Sequence, residues 1–67
     1  MSNRYEEIFE QSADSWDGVT PSVVETMFER AEGAGMKLRS FKKWLVNQPL
    51  TAYTKSRVEG IYESFCD

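Results

Sequence analysis

Six basic side chains, Lys37, Arg39, Lys42, Lys43, Lys55 and Arg57, lie between Glu32 and Glu59, and no acidic residue interrupts them. Such a run of cations makes a local basic surface, which can attract an anionic partner. That chemistry is recognition of an anion rather than bond-making. The chain has no histidine, which removes the commonest general base and the commonest metal ligand. No enzyme activity, cofactor or metal site is therefore expected. Glu25, Glu29 and Glu32 share one helical spacing, as do Glu6 and Glu10. Paired carboxylates can hold a hard cation or move a proton, but without an Asp-rich loop they read as solvated helix faces.

The net charge of −3 conceals a division along the chain. Residues 1–35 carry eight acids and two bases, hence −6, and residues 36–67 carry six bases and three acids, hence +3. An acidic protein cannot coat a polyanion by charge alone, since non-specific affinity follows the number of phosphates neutralised. Two readings compete for the basic window: a local anion-binding surface, or a counterweight paired with the acidic half in a surface network.

The elements that position these residues must be short. Sixty-seven residues make one domain, and a chain of that size buries only about 60% of the surface its unfolded form exposes. A hydrophobic share of 40% is ordinary for a folded chain. No stretch approaches the roughly 20 apolar residues of a membrane span. The start, Met1 to Glu7, has neither the basic start nor the apolar centre of a signal peptide. A cytoplasmic protein that does not engage membranes is expected. The single cysteine, Cys66, forms no internal disulfide and is either a frayed thiol or a small packing residue. A small domain without that staple stands on its core or on a partner.

Apolar spacing and punctuation predict an all-α fold, a compact bundle of about four short helices. Tyr5, Ile8, Phe9 and Trp16 define a first helix over about 4–15, with Asn3 as N-cap and Glu6 completing a capping box. Thr20-Pro21 starts a second, whose stripe is Val23, Val24, Met27, Phe28 and Ala31, with Val19 and Val24 as a hydrophobic staple. Gly33-Ala34-Gly35 ends it sharply. Leu38, Phe41, Trp44 and Leu45 give a third helix over 38–46, which Pro49 keeps from continuing. Thr51 caps a fourth over 52–65, with Val58, Ile61, Tyr62 and Phe65 on one face, and Gly60 inside it marks a close helix approach. No alternating pattern competes as a strand.

The join between the second and third helices resembles the helix-turn-helix of DNA-binding regulators, most closely the headpieces of the lactose-repressor family. The residues that carry the likeness are Met27-Phe28-Glu29-Arg30-Ala31-Glu32-Gly33-Ala34-Gly35-Met36, then Val46-Asn47-Gln48, then Leu50-Thr51-Ala52-Tyr53-Thr54-Lys55-Ser56-Arg57-Val58-Glu59. Arg30 stands where the motif usually has an apolar residue, and Leu38 where many regulators have a polar base reader. The first 25 residues lie outside the pattern; their helix either completes the core or joins two subunits.

The resemblance implies a single domain with a helix-turn-helix over 21–46 and a supporting helix over 52–65. The third helix would enter the major groove, with Leu38, Arg39 and Lys43 reading bases and Lys37, Ser40, Lys42, Asn47, Tyr53, Thr54 and Lys55 contacting phosphates. Duplex DNA is the implied partner and a homodimer the implied state, in the service of transcription regulation, for instance repression, or a related DNA transaction. The rival is an acidic helical module that binds a protein through the N-terminal half, as an inhibitor or antirepressor, because acid-rich helices can imitate the charge array of DNA.

Overall fold

A computed structural model describes residues 3–65 and contains, among them, helices and no strands. The protein is all-α: α1 spans Arg4–Ser12, α2 Pro21–Gly33, α3 Leu38–Val46 and α4 Ala52–Phe65, with one 3₁₀ turn at Trp16–Gly18. No helix among the described residues is long and apolar enough to cross a membrane. Cys66 lies outside the described residues.

Each start is set by a polar side chain. The Asn3 side chain accepts from the Tyr5 N–H at 2.8 Å, and the Thr20 hydroxyl accepts from the Val23 N–H at 3.4 Å. The Thr51 hydroxyl accepts from the Thr54 N–H at 3.2 Å. These bonds satisfy amides that have no partner inside their own helix. Glu6 does not return the bond to Asn3, so α1 has a simple cap rather than a capping box.

The first helix is shorter than its apolar spacing implies. It ends at Ser12, and Ala13 is extended. The reason is Trp16, whose ring stacks on Phe9 with centroids 4.0 Å apart and planes 7° from parallel. Seven residues of continuous helix would separate the two by about 10 Å along the axis, so the chain must turn back to stack them.

The exit from α2 is a Schellman turn. Met36 N–H donates to Ala31 O and Gly35 N–H to Glu32 O, both at 3.0 Å, around Gly35 at φ 80°. This left-handed residue costs glycine little and any other residue more. The exit from α3 is closed differently. Asn47 Nδ2 donates to Lys43 O at 2.9 Å and Gln48 Nε2 to Trp44 O at 3.0 Å, so side-chain amides cover the last carbonyls before Pro49.

Val24, Met27, Phe28, Ala31, Phe41, Leu45 and Val58 are fully buried, and Ile8, Val19 and Ile61 complete the core. Both members of the Val19–Val24 staple are inside it. Around the core runs a chain of rings. Phe41 meets Tyr5 at 5.9 Å, Phe28 at 5.5 Å and Trp44 at 5.7 Å; Trp44 meets Trp16 at 5.7 Å, and Phe28 meets Tyr62 and Phe65. The N-terminal helix therefore completes the core, through Ile8, Tyr5 and Phe9. Gly60, by contrast, marks no close approach. It is exposed, and a Cβ built on it meets nothing within 4 Å, because α4 packs through Thr54, Val58 and Ile61 on another face.

The two glycines should respond with opposite signs. Gly60→Ala is expected to stabilise the fold by about 0.5–1 kcal/mol, and Gly35→Ala to destabilise it by about 1–2 kcal/mol. Each kcal/mol corresponds to about 4–8 °C in Tm for a domain of this size, so thermal melts of the two variants check both.

Candidate nucleic-acid interface

Helix α3 has two faces. Phe41 and Leu45 are buried and Trp44 is half-buried against the core, while Arg39, Ser40 and Lys43 are exposed. Residues 39, 40, 43 and 47 recur at three- and four-residue intervals, so they lie along one side of the helix. Lys37 is the residue before the helix; it is exposed, and its side chain makes no capping hydrogen bond. These positions form the outward stripe of the third helix.

The single ion pair among the described residues joins Lys42 Nζ to Glu59 Oε1 at 3.5 Å. Lys37, Arg39, Lys43, Lys55 and Arg57 take part in none. A network in which the six bases balance the acidic half is thus not present among the described residues. Five of the six cations of the basic window face solvent uncommitted to a carboxylate.

Several residues of the expected set are placed otherwise. Thr54 cannot contact phosphate: it is 2% exposed and its hydroxyl donates to Val19 O at 3.2 Å and accepts from Thr51 Oγ1 at 3.0 Å. It ties the first turn of α4 to the segment before α2. Lys42 is drawn toward α4, with its side chain 22% exposed, its ammonium on Glu59 and 5.0 Å above the Tyr62 ring. It braces α3 on α4 rather than standing out. Leu38 is half-buried and packed against the core, which takes it out of the outward stripe. Asn47 is exposed but spends an amide N–H on Lys43 O. Tyr53, 68% exposed, and Lys55 project from the first turn of α4. Arg57 lines a different groove, with Glu25, Ser56, Gly60, Ile61 and Ser64.

One residue that spacing did not single out lies beside the stripe. Arg4 Nη2 donates to Ala34 O, in the turn that leads into α3, at 3.4 Å. Nothing local in the sequence signals it, because thirty residues separate the two groups.

The architecture defines a small four-helix all-α protein with a basic third helix. Compared with known proteins, the chain matches no protein family, no curated protein and no solved structure.

Because Thr54 holds a buried carbonyl, Thr54→Val should destabilise the fold by about 1–3 kcal/mol, the cost of leaving a buried group unpaired, while Thr54→Ser, which keeps the hydroxyl, should lose less. Urea denaturation of both variants measures the difference.

Proposed function

We propose that this protein binds duplex DNA as a helix-turn-helix regulator of transcription or a related DNA transaction, with α3 as the groove-entering helix. The observation that carries the reading is the outward stripe of α3, where Arg39, Ser40 and Lys43 are exposed and neither cation is paired to a carboxylate among the described residues. An α-helix with its side chains is about 10–12 Å across, which a major groove about 12 Å wide admits. Arg39 and Lys43 then read base edges. Lys37, Ser40 and Lys55, with Tyr53 and the remaining N–H of Asn47, position the domain on phosphates. Leu38, Lys42 and Thr54 support the helix from within.

One domain with a longest extent of 31 Å reaches few base pairs. Two copies side by side would set their third helices about one helical turn, 34–36 Å, apart. The proposed binding unit is therefore a homodimer on a site of approximate two-fold symmetry.

The second reading, a protein-binding module working through its acidic half, is favoured by Glu25, Glu29 and Glu32, which are exposed and unpaired among the described residues. Charge reversal separates the two.

A random-duplex selection at about 50 and 200 mM salt should enrich a palindromic site. On that site Arg39→Ala and Lys43→Ala should each lose about 1–3 kcal/mol, roughly 5- to 150-fold in Kd. Glu25→Lys with Glu29→Lys and Glu32→Lys should leave binding intact or strengthen it. No enrichment and no binding at the lower salt would rule out the DNA reading and direct the search to protein partners of the acidic face.

A further inference from the structure

We infer that the cleft between the start of α1 and the start of α3 is a contact for the sugar-phosphate backbone, with Arg4 and Lys37 as its two cationic sides. The inference rests on the duplex-DNA reading and adds to it a residue of the N-terminal helix, which lies outside the helix-turn-helix pattern. The cleft encloses about 400 Å³ and is lined by Asn3, Arg4, Tyr5, Met36, Lys37 and Ser40. No carboxylate of the described residues lines it. Its polar groups are a guanidinium, an ammonium, a serine hydroxyl, a phenol and a carboxamide, all capable of donating to an oxyanion.

The two cations come from positions thirty-three residues apart in sequence, and the fold brings them to one opening. Arg4 is held there by its bond to Ala34 O at 3.4 Å. That bond uses one of five guanidinium N–H groups, and the others stay available to an incoming anion. Lys37 is exposed and, among the described residues, takes part in no capping bond or ion pair. Ser40, on the same cleft, lies one residue from Arg39 on the outward side of α3. A backbone seated in the cleft would thus flank the groove that α3 enters.

Size favours a nucleic-acid backbone over a lone phosphate. The cleft, about 400 Å³ and open to solvent, is larger than one phosphate group fills. The half-buried Met36 and Tyr5 supply apolar wall for the sugar.

The test is a duplex titration from about 50 to 200 mM salt with the wild type, Arg4→Gln, Arg4→Lys and Lys37→Gln, each checked for helicity by circular dichroism. A second arm follows backbone amide shifts of residues 3–5 and 37–40 as inorganic phosphate is added. Losing one phosphate contact should lower the slope of log K against log salt by about 0.9. The expected result is that fall in both glutamine variants, unchanged sequence preference, and a slope restored in Arg4→Lys. Should Arg4→Gln fail to fold, Lys37→Gln reads the same cleft, because its side chain holds nothing in the structure. Wild-type slopes in both glutamine variants would overturn the cleft assignment and leave the DNA reading standing. No duplex binding by the wild type would overturn both. Saturable phosphate binding at these amides, lost in Arg4→Gln with no change in the duplex slope, would assign the cleft to a free phosphate compound and overturn the backbone contact.

Discussion

The position of α3 depends on one ring. Phe41 is fully buried and touches Tyr5 of α1, Phe28 of α2 and Trp44 of its own helix. Its contact with Phe28 is edge-on, with planes 83° apart, the arrangement that sets the positive edge of one ring against the negative face of the other. A nine-residue helix has little stability alone in water, and α3 starts without a side-chain cap. What fixes it is the burial of Phe41 and Leu45 and the ring contacts of Trp44. The inward face therefore carries the helix, and the outward face is free to be basic.

This division also explains the scarcity of ion pairs. Exposed pairs contribute at most about 1 kcal/mol and cost side-chain entropy, so a core of packed rings has little use for them. The one pair among the described residues, Lys42 with Glu59, lies where α3 meets α4, and Tyr62 adds a ring face beneath the same ammonium. A cation used structurally is thus set apart from cations left to solvent, although Lys42 and Lys43 are neighbours in sequence. Their different fates follow from helix geometry: consecutive residues point about 100° apart, so one faces α4 while the other faces outward.

The same geometry decides how much could be read without the structure. The bounds of α2, α3 and α4 followed from Thr20-Pro21, the Gly33–Gly35 run, Pro49 and Thr51, each a local cap or stop whose chemistry is complete within a few residues. The core stripes were legible for the same reason. Thr54 is a phosphate contact only by the resemblance, whose Thr-basic pair implies an outward hydroxyl, yet 54, 58, 61 and 65 fall at intervals of four, three and four, the spacing of the buried face. Spacing was the better guide there than polarity. Trp16, Lys42 and Arg4 were not legible in this way, since each is placed by a partner outside its own helical run: Phe9 across a chain reversal, Glu59 on α4, and Ala34 in the turn.

The N-terminal helix shows what such distant contacts add. Tyr5 packs against Phe41 and Trp44 at 5.9 and 5.4 Å, and the residue before it, Arg4, reaches the turn ahead of α3. The packing and the polar contact are coupled, because adjacent helical residues point in different directions and anchoring Tyr5 inward directs Arg4 elsewhere. Asn3, which caps the helix, Met36, which closes the Schellman turn, and Lys37, which follows it, lie around the same opening. A helix that could have served the core alone thus delivers a cation to the mouth of the basic face. Its apolar side packs Tyr5 against Phe41 and Trp44 of α3, and its first turn sets Arg4 against the turn that leads into that helix.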